Sequence, residues 1–218
     1  MARATQARAR RGARGEPAGP ARRRSRQQLA PEARARILKA AAEVVGREGY
    51  AGASISKITE RAGMAQGTFY LYFDSRQALF DELLPHLGLE MFAYVGQRLK
   101  GARSFFEMEE RGFRSFFEFL RANPGFFTIL NEAEVAAPAG YERHFQNLSG
   151  RYLKALERAV EAGEIRNYRG RELEALAYML IATRSYMYLR YVKNVKGQGA
   201  LPGWVVQTYM KLIRQGIS

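Results

Sequence analysis

The sequence contains no cysteine, two histidines, one tryptophan and seven prolines in 218 residues. Without cysteine there are no disulfides and no thiolate-held metals, and a reducing compartment is permitted. Long apolar runs are also missing. The longest, Ala175 to Ala182, falls well short of the roughly 20 residues that cross a bilayer as a helix. The N-terminus lacks the apolar core of a secretory signal. A soluble, intracellular protein without a membrane partner is expected. His86 and His144 are isolated, and there is no His-Glu-x-x-His pair, no phosphate-cradling Gly-x-x-x-x-Gly-Lys-Ser/Thr and no Gly-x-Ser-x-Gly elbow. No enzyme, metal site or cofactor is expected. Sustained period-two alternation is absent too, so strands are not predicted.

Acid is scarce relative to base. Lys and Arg number 35 against 21 Asp and Glu, for a net charge of +14. The first thirty residues hold nine arginines and one acid, Glu16, or +8 of that total. A basic chain of this size favours polyanions such as nucleic acid. Residues 1–28 are rich in Arg, Ala, Gly and Pro, bury too little to offset chain entropy, and are predicted to be a disordered basic tail. That tail reads either as an arm making extra phosphate contacts or entering a minor groove, or as dispensable.

The remainder is patterned for helix. Pro31 suits the first turn of a helix whose face carries Ile37, Leu38, Ala41 and Val45, with Gly49 ending it. A second helix starts at the N-cap Ser54 and buries Ile55, Ile58 and Ala62. Gly63 makes a tight turn, and a third helix from about Gln66 to Phe73 buries Phe69 and Phe73. The fourth, carrying Leu79, Phe80, Leu83, Leu84 and Leu87, should kink or break at Pro85. Four or five more follow, at about 104–121, 126–135, 139–162 and 171–193, with a loop at Gly197-Gln198-Gly199 and a last helix holding Val205, Tyr209, Leu212 and Ile213.

Two short helices joined at Gly63, the second displaying Gln66, Thr68, Tyr70 and Tyr72, form a pattern suited to a DNA major groove. Gln66 can pair with a base edge, and the Thr68 methyl or hydroxyl can touch one. Tyr70 and Tyr72 can reach phosphates, Gly67 allows close backbone approach, and Arg76 opens the next helix with a cation. At this point the chain resembles the tetracycline-repressor (TetR) family of bacterial regulators. It matches that family's pattern at Ser54, Ile58, Ala62, Gly63, Gly67, Thr68, Tyr70, Tyr72, Phe73 and Leu79. It departs at Thr59, Met64, Ala65 and Arg76; Ala65 removes the usual side-chain cap of the recognition helix.

The resemblance implies base or near-base contacts from Ser56, Gln66, Gly67, Thr68, Tyr70 and Leu71, and phosphate contacts from Ser54, Tyr72, Arg76 and possible partner Lys57, which reads equally as a plain solvated lysine. It implies an all-α fold: an N-terminal three-helix DNA-binding domain at 29–78 and a helical dimerisation and ligand-binding domain at 79–218. It further implies a homodimer that represses from a near-palindromic double-stranded operator until a small apolar or acyl-type effector releases it. A DNA-binding architectural protein without an effector is the alternative.

In the second domain, the helix at 171–193 is apolar nearly all round, which suits a core on one side and a partner subunit on the other, with the last helix as its companion. Phe113, Phe116, Phe117, Phe127 and Tyr178 are candidates to line a ligand cavity. Arg184 lies on the stripe of Leu176 and Leu180 and, if buried, needs an anion: a ligand, or Glu132 or Glu134. Otherwise it reaches solvent at an interface edge. Glu107, Glu109 and Glu110 read as a solvated face, and His144 as a surface or pocket residue.

Overall fold

The computed structural model describes residues 26–193 and 200–217. The readings made for residues 1–25 and for Gly197-Gln198-Gly199 lie outside the described residues. Among those described there are nine α-helices and no strand: α1 (Arg26–Gly52), α2 (Ile55–Ala62), α3 (Gln66–Phe69), α4 (Arg76–Leu99), α5 (Phe105–Ala122), α6 (Phe126–Ala136), α7 (Pro138–Glu161), α8 (Arg171–Tyr191) and α9 (Gly203–Gly216). No helix is long and apolar enough to cross a membrane.

Helices α1 to α3 form a small unit around Ile37, Leu38, Val45, Ile58, Phe69 and Phe73. Ser54 caps α2, its Oγ accepting from the Lys57 N–H at 3.2 Å. Gly63 closes α2 in the left-handed region (φ 63°, ψ 42°), with Met64 N–H donating to Thr59 O and Gly63 N–H to Glu60 O. That double bond pattern consumes the last free carbonyls of a helix. The Arg36 guanidinium takes a further one, Ala62 O, at 2.6 Å.

Three helix expectations are corrected. First, α1 begins at Arg26, so Pro31 stands inside the helix and not in its first turn. Gly49 (φ 72°, ψ 171°) interrupts the helix, which resumes for one turn to Gly52. Second, Pro85 does not break α4, which runs unbroken past the expected domain boundary at 78/79. Proline removes the N–H that would bond the carbonyl four residues earlier. That carbonyl, Asp81 O, instead accepts from the Arg143 guanidinium of α7 at 2.5 Å. Gly140 makes the contact possible, because a Cβ there would collide with Asp81 O. Third, α3 is one turn of α-helix ending at Phe69. Residues 70–72 continue as a tighter turn, with Leu71 N–H on Thr68 O and Tyr72 N–H on Phe69 O. Gly67, Thr68 and the aromatics have weak helix propensity, and Ala65 offers no side-chain cap, so the helix is not propagated.

The second unit is a bundle in which α4 packs on α5 and α7, α7 on α8, and α9 on α5. Its link to the first unit is α6, which lies across α1. The crossing is backbone on backbone: a Cβ on Gly46 would stand 2.7 Å from Gly125 Cα. Beside it, Glu132 of α6 accepts from the Tyr50 backbone N–H at 2.9 Å, next to the break at Gly49.

Candidate functional site

The outer edge of α2 and α3 collects the residues expected to meet DNA. Ser56, Gln66, Gly67, Tyr70 and Leu71 are exposed, Leu71 at 78% and Tyr70 at 53%. Two large apolar groups held in water beside an exposed amide suit a surface that another molecule covers. Phe69, fully buried, meets the Tyr70 ring edge-on at 5.3 Å and so fixes where Tyr70 stands. Nothing lies within 4 Å of the space beside Gly67, so the approach there is open.

The flanking groups are less free. Thr68 and Tyr72 are half-buried. The Ser54 hydroxyl is engaged as the cap of α2. The Lys57 ammonium bonds Glu48 at 2.6 Å and Gly52 O at 3.0 Å. Arg76 reaches toward Ala53 O at 3.4 Å and lies over the Phe80 ring at 5.4 Å. Both cations brace the unit internally, and meeting a phosphate would require them to exchange those partners.

In the bundle, α4, α5, α6, α7 and α8 line a cavity of about 240 Å3. Its wall is apolar for the most part, with Met91, Phe92, Val95, Phe116, Phe126, Leu130, Phe145, Leu148 and Ile181. Among the six residues proposed from sequence, only Phe116 and Arg184 stand on that wall. Phe113 and Phe117 face the core between α5 and α9, where Phe113 stacks on Tyr209 at 4.1 Å. Phe127 packs on Tyr188 at 4.0 Å. Tyr178 is half exposed on the outside of α8.

Arg184 is buried, and its anion is neither a solvent ion nor Glu132 or Glu134. Its Nη2 donates to Glu109 Oε1 at 2.7 Å, and its Nη1 to Leu180 O at 2.9 Å. Glu109 is therefore no part of a solvated face: it is 3% exposed and also accepts from the hydroxyls of Tyr209 (2.6 Å) and Tyr152 (3.0 Å). Burial by itself would lower the Arg184 pKa, but Glu109, with the two tyrosines, holds it above its ordinary value. Burial pushes both tyrosine hydroxyls up. The signal was present in the sequence: Glu109 sits between Phe105 and Phe113 at helical spacing, on the buried stripe of α5.

His144 is 2% exposed on the cavity wall, and burial pulls its pKa down to about 4. The sign follows from proton counting: between about 4 and the usual 6.5 the unfolded chain binds a proton that the native one does not. Stability is thus complete above that window and falls as pH drops through it, by about 3 kcal/mol in all. Denaturant melts at a series of pH values will show that slope, and His144→Leu will flatten it.

The family model for bacterial regulatory proteins, tetR family, matches residues 37–83, the span from α1 to α4 that carries the exposed edge. An uncharacterized HTH-type transcriptional regulator of Bacillus subtilis, YvdT, is 44% identical over 32% of this chain and 36% of its own length. NicS, an HTH-type transcriptional repressor of Pseudomonas putida, is 29% identical over 75% of this chain and 78% of its own. Residues 37–83 thus form a TetR-family DNA-binding domain. The likeness in fold extends through the bundle: FadR from Bacillus subtilis, solved in complex with stearoyl-CoA, superposes with a TM-score of 0.72 at 19% identity, over 84% of this chain and 99% of that one. The matched segment contains α2 and α3, the two short helices joined at Gly63, and ends inside α4.

Proposed function

We propose that this chain is a homodimeric transcriptional repressor that grips a near-palindromic operator through α2 and α3 and lets go when a small apolar or acyl-type molecule occupies the cavity. The observation that carries the reading is the coexistence, in one chain, of an exposed helix-turn-helix edge and a largely apolar cavity in the helical domain. An architectural DNA-binding protein has no use for the second. NicS is a repressor by name, and FadR holds an acyl thioester. A space of about 240 Å3 is far larger than the roughly 10–15 Å3 that a single water needs on the same measure.

Transmission has a physical route. Phe126 and Leu130 present one side of α6 to the cavity, while Gly125 and Glu132 of the same helix hold α1. A ligand that shifts α6 must shift α1, and with it the helix-turn-helix. It does so only to the extent that it binds one arrangement better than the other. The apolar outer side of α8 supplies the surface for a second copy.

Selection of bound duplexes from a random pool, followed by anisotropy titration, tests the reading. An inverted repeat should emerge. Gln66→Ala and Tyr70→Ala should each weaken its binding by about tenfold or more, as expected for loss of a contact of ~1–3 kcal/mol, with thermal stability unchanged. No enriched repeat, or unaltered affinity in both variants, refutes it.

A further inference from the structure

One fully buried polar atom on the cavity wall has no partner. His144 is buried, yet neither ring nitrogen has a hydrogen-bond partner among the described residues, and Nδ1 is sealed from solvent altogether. Nδ1 abuts Gly88 of α4 so closely that any Cβ there would collide with it. The ring is held from three sides by Phe92, parallel at 6.1 Å, and by Phe126 and Phe145, edge-on at 6.3 and 5.6 Å. A buried N–H without an acceptor is less tolerable than a bare lone pair. The sealed Nδ1 is thus the bare nitrogen, and the proton sits on Nε2, the one nitrogen left for a ligand.

The other polar wall groups narrow the ligand's charge. Arg184 is already matched by Glu109, whose two oxygens are further taken by Tyr152 and Tyr209. A ligand carboxylate would have to displace Glu109 and leave it buried without its cation. Arg151 is exposed, its guanidinium 4.5 Å over the Phe92 ring, and belongs to the rim. The wall therefore carries no net charge inside the rim, and besides the imidazole only the half-buried Ser185 hydroxyl is left over to meet a ligand.

We infer that His144 is the polar anchor of this cavity, and that the ligand is an uncharged molecule whose apolar body fills the space while a single acceptor, a carbonyl-type oxygen, takes the Nε2–H. This deepens the effector reading above and rests on it.

The test uses three probes of equal chain length: methyl hexyl ketone, n-octane and octanoate, each titrated into the purified full-length chain by competition with an environment-sensitive dye. The wild type should bind the ketone about tenfold more tightly than octane, the worth of one hydrogen bond, and octanoate least. His144→Leu should erase the preference of ketone over octane. His144→Gln, which keeps an N–H at nearly the same place, should restore it. In nitrogen-15 spectra, with only two imidazoles in the chain, the Nε2 resonance missing from His144→Leu should move on adding the ketone and stay still on adding octane. A ketone preference that survives His144→Leu, or octanoate binding above the ketone, overturns the inference alone. Failure of all three probes to bind overturns the effector reading and this inference together.

Discussion

Glu109→Leu will destabilise the folded protein by about 3–5 kcal/mol, the range seen when one partner of a buried ion pair is removed. The substitution leaves Arg184 8% exposed in a wall of Phe113, Tyr152 and Ile181 with no carboxylate to face. Its guanidinium cannot shed its proton in response, because an arginine stays charged at any working pH. The hydroxyls of Tyr152 and Tyr209 lose their acceptor at the same stroke. Glu109→Gln keeps an acceptor for the tyrosines and should lose less. Removing the charge as well, in Glu109→Leu with Arg184→Met, should recover most of the loss, since apolar replacements of similar volume match or exceed a buried pair. Urea melts of the four proteins check all three statements. A single-variant loss below about 1 kcal/mol would mean that solvent reaches the pair, as for an exposed bridge.

That cluster also marks where the sequence could be read and where it could not. The nine-helix architecture was legible because each helix announces itself locally: Ser54, Ser75 and Ser104 all cap as their type suggests, and Gly63 ends α2 with a positive φ. The exposed edge of Ser56, Gln66, Gly67, Tyr70 and Leu71 was legible because these residues lie within sixteen positions of one another. The cavity was not. Its wall draws from five helices, and which face of an aromatic-rich helix looks inward depends on partners far along the chain. Hence Phe116 stands on the cavity wall, while Phe113, Phe117 and Phe127 pack elsewhere in the core. Pro85 misled for the same reason: its rescue by Arg143 comes from 58 residues away in sequence. Nor does any local pattern record the close approach of Gly46 and Gly125.

Tyr186→Asp will convert the protein to a monomer that folds but no longer holds its operator. Tyr186 is 71% exposed on α8, in company with Met179 at 65% and Tyr178 at 46%, while Leu212 on α9 is 68% exposed. The opposite side of α8, with Leu176, Leu180 and Ile181, is buried. Within one chain, then, an aspartate at 186 stands in water and disturbs little beyond helix propensity. Across a twofold interface built on this apolar side it would be buried without a cation, and its image in the partner would be close by. An uncompensated buried charge of that kind costs about 4 kcal/mol, or roughly a thousandfold in the dimer dissociation constant. Operator affinity should follow, by a hundredfold or more, because each half-site would then be bound without the effective concentration its neighbour supplies. Sedimentation velocity and anisotropy on the selected repeat, with far-ultraviolet dichroism to confirm the helices, decide it. A Tyr186→Asp dimer that grips the repeat as tightly as the wild type would move the subunit contact off α8.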